Sequence, residues 1–471
     1  MTNTNRIGIL ITALFAAHSA YASIDLIAIG NINGNYEDFA VQTAGALENG
    51  VHGNLLGGLG SGLAYAGGNN FIGVPDRGPN AAAYNSALDD TTSYIDRFHT
   101  LHLSLAPSAP GAALPYTLTP MLTGTTLLYS KSPLSYGSGA GLGVGSGEPA
   151  LNTKNKHYFT GRSDNFDPSQ PSTNPGNARF DPEAVRVSND GKSIFISDEY
   201  GPYVYQFNRE TGRRIKAFAL PSKFAATQLS PVGSIEVSRN SLGRVANRGM
   251  EGLAITPDGK TLFGAMQSPL LQDGGVNAPY TRIIKIDIKT GTTEEYAYPL
   301  SNIGTPSNPR FPTVSEIVAI NDHEFLVDER DGKGRGDGTF AVVKKLYKIN
   351  LAGAQSVSNI TGATNLAEKA VTKTLFLDIV AKLTANGIAN TDIPAKLEAI
   401  TFGPDFIMNG VTKHTLYIAN DNDFTASVGG IDNPNTFYVF AFDRDDLPGY
   451  VPQQIRVDED DRDNEHKSDR D

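Results

Sequence analysis

Short apolar runs, separated by turns built on Asp-Gly, dominate the middle of the chain, and four segments share one grammar. The first reads Phe180-Asp-Pro-Glu183-Ala-Val-Arg-Val, then Asn189-Asp-Gly-Lys192, then Ser193-Ile-Phe-Ile-Ser-Asp198-Glu199. The second is Arg248-Gly-Met-Glu251-Gly-Leu-Ala-Ile, Pro257-Asp-Gly-Lys260, and Thr261-Leu-Phe-Gly-Ala-Met-Gln267. The third is Val314-Ser-Glu316-Ile-Val-Ala-Ile, Asn321-Asp-His323, and Glu324-Phe-Leu-Val-Asp328-Glu329-Arg330. The fourth is Lys396-Leu-Glu398-Ala-Ile-Thr-Phe, a longer turn, and His414-Thr-Leu-Tyr-Ile-Ala-Asn420-Asp421. Each unit is a glutamate, a short apolar strand, a turn, a second apolar strand and a polar end. Gly accepts positive φ without steric cost, so Asn-Asp-Gly and Pro-Asp-Gly predict tight hairpins.

Further strands follow these hairpins: Tyr203 to Phe207 and Ile215 to Phe218; Arg282 to Ile288 and Glu295 to Tyr298; Lys345 to Ile349; Thr436 to Phe442. Four strands per repeat predict an all-β fold, a β-propeller of four-stranded blades. A more divergent first unit joins residues 61–65 and 70–77, with outer strands expected at 94–98 and 101–105. The apolar stretch at 24–29 is expected to close the ring with C-terminal strands. Six blades are the favoured count, with five and seven open. The main helical candidate is short, near 378–385, before Gly387. The Gly-rich stretches 57–68 and 137–147, and the Pro/Ser/Asn-rich stretches 164–176 and 301–312, read as loops over one propeller face. A β-sandwich also has many short strands, but it does not explain a glutamate recurring at the same strand entrance.

Inner strands of a propeller line its axis, so a residue repeated at their entrances lands on a ring. Glu183, Glu251, Glu316 and Glu398 are therefore expected to converge. Carboxylates gathered in a low-dielectric cup repel, and must be protonated, paired with Arg, or neutralised by a cation. An all-oxygen donor set suits Ca²⁺, with Mg²⁺ or no metal as alternatives. Asp328 and Asp421, at the ends of second strands, are further candidate ligands. Arg179, Arg248 and Arg330 are the alternative partners, and the competing reading makes each glutamate a structural cap that bonds backbone amides of the next blade. Other strand ends carry Asp76-Arg77, Asp198-Glu199 and Asp423. Arg bonds two oxygens of a phosphate at once, which nominates Arg77 and Arg330 as oxyanion or phosphate clamps.

The units PEAVRVSNDGKSIFISDEYGPYVYQFN, MEGLAITPDGKTLFGAMQSPL, SEIVAINDHEFLVDERD and LEAITFGPD resemble the phytase-like β-propeller family, described as esterase-like activity of phytase. The likeness runs from about Gly57 to Asp443. It implies an exported propeller near the calcium-dependent β-propeller phytases, and hydrolysis of a small-molecule ester or phosphoester. The expected chemistry is metal-assisted, with Glu183 and Glu251 as catalytic carboxylates beside Arg77 and Arg330. A non-enzymatic binding module and a lactonase-like propeller with one divalent ion are the rival readings. No Gly-x-Ser-x-Gly elbow occurs, which argues against a serine hydrolase. Arg335-Gly-Asp337 in a Gly-rich loop reads as chance, and Asp421-Asn-Asp423 breaks the EF-hand pattern at Phe424. His99 and His102 read as surface or packing residues.

The ends of the chain add location. Arg6, an apolar run at 7–17 and Ala20-Tyr21-Ala22 have the layout of a bacterial secretory signal over residues 1–22, so a periplasmic or secreted protein is expected. The propeller domain is assigned to 23–455 and an acidic, solvated tail to 456–471. The chain of 471 residues carries 50 acidic and 39 basic side chains, net −11, which argues against nucleic-acid binding by bulk positive charge. Cys is absent, excluding disulfides, thiolate metal sites and a cysteine nucleophile. No stretch is apolar enough to span a membrane, and a monomer is expected.

Overall fold

The computed structural model describes residues 24–80, 91–136, 148–162, 172–230 and 233–456. The signal segment, the loop at 137–147, part of the 164–176 stretch and all but the first residue of the acidic tail lie outside the described residues.

Five antiparallel blades are present among the described residues, each a path of four strands, the last with the short strand Phe406–Met408 added at its side. From the inside outwards, blade 1 holds Gly62–Tyr65, Asn70–Val74, Arg97–Pro107 and Tyr116–Leu127. Blade 2 holds Pro182–Val187, Ser193–Asp198, Tyr203–Asn208 and Arg214–Ala219. Blade 3 holds Met250–Ile255, Thr261–Met266, Tyr280–Asp287 and Thr293–Pro299. Blade 4 holds Thr313–Ala319, Glu324–Arg330, Lys344–Asn350 and Lys373–Asp378. Blade 5 holds Lys396–Phe402, Val411–Asp421 and Asn435–Phe442, and its outermost strand is the N-terminal Asp25–Ile32.

The innermost strands contact one another in the order of blades 1, 2, 3, 4, 5 and back to 1, so the ring is closed at five. The apolar stretch at 24–29 does close it: Leu26 pairs with Phe440 and Ile29 with Tyr438. It completes the last blade rather than seeding another, which is why the count is five and not six. In blade 1 the two strands expected at 94–98 and 101–105 are one continuous strand, and the fourth is Tyr116–Leu127. The expected helix is Ile379–Ala385, capped by the Asp378 side chain accepting from the Ala381 N–H at 3.0 Å, and two further short helices, Gly233–Arg239 and Ala363–Ala367, lie in segments where none was expected.

The apolar core lies between blades. Val74 and Ile72 of blade 1 meet Val185 and Ile196 of blade 2. Ala184 and Phe195 meet Leu253 and Leu262 of blade 3. Phe263 meets Phe325 of blade 4, ring centres 4.4 Å apart. Leu326 and Leu346 meet Ile400 and Leu416 of blade 5, and Tyr417 returns to Phe71 of blade 1 at 4.7 Å. Each interface buries aliphatic and aromatic area worth about 25 cal/mol per Å², so blades are locked laterally and the axis is left to polar groups.

Those polar groups include a buried ion pair. Arg186 Nη2 lies 3.0 Å from Glu316 Oε2. The guanidinium also donates to the carbonyls of Leu63 (2.9 Å), Ile317 (3.0 Å) and Ile400 (3.4 Å). Glu316 Oε1 accepts from the N–H of Leu253 and of Ile317, both at 2.9 Å. The pair thus ties the inner strands of all five blades together across the axis. On the far side the C-terminal segment crosses the mouth. Val451 N–H donates to Ile320 O at 2.8 Å, and Gln453 Nε2 donates to Val187 O at 2.8 Å.

Candidate active site

At the other end of the axis, above the Arg186–Glu316 pair, the ring opens into a cup of about 380 Å³. Its walls carry Asp76, Arg77, Glu183, Glu199, Arg248, Glu251, Gln267, Arg310, Arg330, Asp331, Lys396 and Glu398, with Ile303, Phe311 and Pro312 at one side.

A shared backbone irregularity places the glutamates. In blades 2, 3, 4 and 5 the pairing of the inner strand with its neighbour slips by one residue near the strand entrance. Met250 pairs with Met266 but Gly252 with Ala265, leaving Glu251 at the bulge. Leu397 pairs with Asn420 and Ala399 with Ala419, leaving Glu398. Pro182 pairs with Asp198 and Val185 with Ile196, and Glu183 follows Pro182. A bulge re-aims a side chain out of the ladder, here into the cup. In blade 4 the bulge residue is Ser315, because Val314 pairs with Glu329 and Glu316 with Asp328. Glu316 sits one position on, and one residue of register turns a side chain to the other face. Three of the four expected glutamates meet in the cup. The fourth serves the axial pair, and its carboxyl is pushed up to about 7 by burial against the pull of Arg186. Asp328, opposite Glu316, is fully buried and outside the cup lining, and burial holds its carboxyl well above the ordinary range.

The ends of the second strands supply the other ring. Glu199 follows Asp198, Gln267 follows Met266 and Arg330 ends blade 4's second strand, whereas Asp421, which ends blade 5's, lies behind Lys396 and outside the cup lining. In blade 2 this brings Asp181, Glu183 and Glu199 together, each with a carboxylate oxygen within 4.8 Å of the others, and all buried. Burial first, then Glu251 and Asp181, holds the Glu183 and Glu199 carboxyls well above their usual range. Asp198 supports them, its Oδ1 accepting from Asp181 N–H at 3.2 Å and Tyr200 N–H at 3.0 Å. Its own carboxyl is pushed up to about 7 by burial.

The cations divide into committed and uncommitted. Arg77 lies 3.4 Å from Asp181 Oδ2 and 3.7 Å from Asp76 Oδ2. Arg330 pairs with Glu398, approaches Glu251 at 4.0 Å, and donates to Ser315 Oγ at 2.7 Å. Lys396 bridges Asp421 and Asp423, at 2.6 Å each. Burial pulls Lys396 down, but Asp421, Glu398 and Asp423 outweigh it, so the ammonium stays charged. The structure therefore engages both expected clamps, Arg77 and Arg330, with carboxylates. Arg248 bonds Gln267 Oε1 at 3.4 Å. Among the described residues neither Arg248 nor Arg310 has a carboxylate partner within 4.0 Å.

Glu251 stands between the two halves of the cup. Burial and then the nearby Glu398 raise its carboxyl to about 7, with Arg330 opposing. Among the described residues its Oε2, like Glu199 Oε1, is buried without a hydrogen-bond partner. A buried polar atom without a partner costs about 1–3 kcal/mol, so its retention calls for an explanation. Asp421, taken by Lys396, is also raised to about 7, chiefly by burial.

Asp181, on the loop side of the strand entrance, and Arg310 were not singled out by the sequence. The former carries the signal of an acid two residues before a repeated Glu; the latter has none. Other sequence candidates settle simply. Arg335 donates to the carbonyl of Asp432 and Asp337 caps Thr339, so that tripeptide is tied into its loop. His99 is fully buried, its imidazole lowered to about 4 by burial.

Among the described residues no helix is long and apolar enough to cross a membrane. An uncharacterized secreted protein of Arthroderma benhamiae is 35% identical over 177 residues, which is 32% of this chain and 34% of the relative. This chain thus matches about a third of that relative's length. Among solved structures, hydrazine synthase of Kuenenia stuttgartiensis is similar at 9% identity, over 78% of each chain, with a TM-score of 0.28. Sqt1 of Saccharomyces cerevisiae is similar at 7% identity, over 80% of this chain and 69% of that one, with a TM-score of 0.29. Likeness at those scores carries no argument about the cup. The sequence match that does bear on it spans residues 54–424, most of the chain and every charged group of the cup, and by that match the chain belongs to the phytase-like family, described as esterase-like activity of phytase.

Proposed function

We propose that the cup hydrolyses a small anionic ester or phosphoester with the help of one divalent cation, in an exported protein. The observation that carries this reading is the buried triad Asp181, Glu183 and Glu199 beside the unpartnered Glu251 Oε2. The donors fit a hard cation. They are all carboxylate oxygens, close enough to share one ion, and they lack a hydrogen-bond donor for Glu199 Oε1. Asp181, Glu183 and Glu199 would hold it, and calcium suits them better than a metal that prefers nitrogen or sulfur. When bound, such an ion polarises an ester or phosphoryl oxygen and acidifies a water.

The chain's own groups do the rest. Glu251, with a carboxyl near 7, takes a proton from water at neutral pH. The water oxygen bonds to phosphorus or to the ester carbon, the bond to the alcohol oxygen breaks, and the same proton returns to the departing alcohol. Arg330 holds Glu398 and keeps Glu251 oriented. Arg248 and Arg310 bind the anionic part of the substrate. Secretion of the relative and the signal layout support a periplasmic or extracellular protein.

The test is turnover of p-nitrophenyl phosphate, p-nitrophenyl acetate, phytate and a lactone, each with calcium, magnesium or chelator. Calcium-dependent release from a phosphate or acyl ester, lost in Glu183→Gln and Glu251→Gln, is expected. Calcium binding without turnover of any substrate would refute hydrolysis and leave a binding module. Lactone opening without phosphate or acyl ester cleavage would replace the substrate class.

A further inference from the structure

The cup is not symmetric in its chemistry. Blades 1 and 2 contribute Asp76, Glu183 and Glu199. The opposite wall is the 301–312 segment between blades 3 and 4, which presents Arg310 together with Ile303, Phe311 and Pro312. This segment is built rather than loose. Ile303 N–H donates to Arg310 O at 2.8 Å, and Asn302 Oδ1 accepts from both Gly304 N–H (2.9 Å) and Arg310 N–H (3.1 Å). A side chain at Gly304 would meet Asn308 O at 2.3 Å, so the turn is shaped around glycine. Phe311 packs partly against the core between blades 3 and 4 and shows its remainder to the cup.

Two guanidiniums that have no carboxylate partner among the described residues, Arg248 holding only the neutral Gln267 Oε1 at 3.4 Å, stand beside an apolar wall and select a particular ligand. We infer that the site takes a phosphate monoester of an aryl or aliphatic alcohol, with the phosphate at Arg248 and Arg310 and the apolar group against Ile303, Phe311 and Pro312. A densely phosphorylated polyol fits poorly. It has no apolar face for that wall, and its further phosphates would meet the carboxylates of the facing blades with Arg77, Arg330 and Lys396 already engaged. Like charges at this range in a partly desolvated cup repel strongly. The inference rests on the cup being the reactive site, and it deepens that reading by naming the substrate.

Equilibrium binding separates it from catalysis. Titration calorimetry on the full chain, with calcium present at neutral pH, would compare phenylphosphonate, methylphosphonate and inositol hexakisphosphate. Phenylphosphonate should bind roughly tenfold tighter than methylphosphonate, the scale expected for withdrawing part of a ring from water, and tighter than the hexakisphosphate. Phe311→Ala should cut the phenyl-to-methyl ratio to about twofold, and Phe311→Leu should restore most of it, which excludes simple loss of folding. Replacing Arg248 and Arg310 together by Ala should weaken both phosphonates by a similar factor. Equal affinity for the two phosphonates, no binding of either, or preference for the hexakisphosphate would overturn the inference. If phosphonates bind in the expected order while no ester is turned over, hydrolysis falls and the ligand class stands.

Discussion

Glu251→Gln tests the electrostatics of the cup most directly. The Glu251 carboxyl moves from an ordinary 4.5 to about 7 on folding, driven by burial and then by Glu398. In the chelated protein the folded state therefore holds a proton that the unfolded state has released between those pH values. Stability must fall as pH rises across that window and level off above it. For this one group the loss is about 3 kcal/mol, at roughly 1.4 kcal/mol per pH unit. A chain of 471 residues unfolding with roughly 2 cal/mol/K per residue shifts about 1 °C per kcal/mol. Gln cannot ionise and keeps the shape. With chelator, Glu251→Gln should leave the melting midpoint near wild type at pH 5 and raise it by about 3 °C at pH 8, while abolishing turnover. Differential scanning calorimetry across pH 5 to 8 reads this. A variant that melts lower than wild type at pH 8 would refute the reasoning, because it would make the Glu251 charge a net stabilising partner of Arg330.

Three further outcomes follow from the same geometry. Calcium at 100 times its Kd should stabilise the protein by about 2.7 kcal/mol, and Glu183→Gln should weaken calcium binding at least tenfold by calorimetry without lowering the chelated midpoint. Turnover at saturating calcium should rise with pH to a plateau as Glu251 loses its proton, with a midpoint below the value of about 7 of the metal-free carboxyl because a cation on the neighbouring Glu183 and Glu199 favours the charged form, and a profile that falls instead would assign Glu251 the acid role. Arg186→Met should destabilise the protein increasingly as pH rises above 7, because Glu316, already raised to about 7 beside Arg186, loses the charge that favours its ionised form, with Glu316→Gln in that background removing the pH dependence in denaturant melts.

The blade architecture was readable because a propeller writes the same strand-turn-strand unit repeatedly. Gly191 and Gly259 both occupy positive φ in matching turns, and the Asp before each accepts from the Lys after it. The count was less readable, since Asp25–Ile32 looks the same in sequence whether it founds a blade or completes one. The same limit applied to the ring of acids. Aligning Glu316 with Glu251 is natural by eye, yet the one-residue slips in the inner strands of blades 3 and 4 make Ser315 the equivalent position. Bulges change which residue faces the axis without changing composition, so periodicity alone cannot register them. Asp181 carries no strand-periodic signal because it precedes the strand proper, and Arg310 carries none because the fold of the 301–312 segment, not its composition, delivers it to the cup.

The Arg186–Glu316 cross-brace has a kinetic meaning. It turns what would be a tunnel through the molecule into a blind well, with Tyr450, Val451 and Gln453 roofing the opposite opening. Whatever enters must retreat by the same doorway. If the cup hydrolyses an ester as proposed, a two-part product would depart in sequence, the outer fragment first, and the fragment nearest the floor would govern the pace of the next cycle.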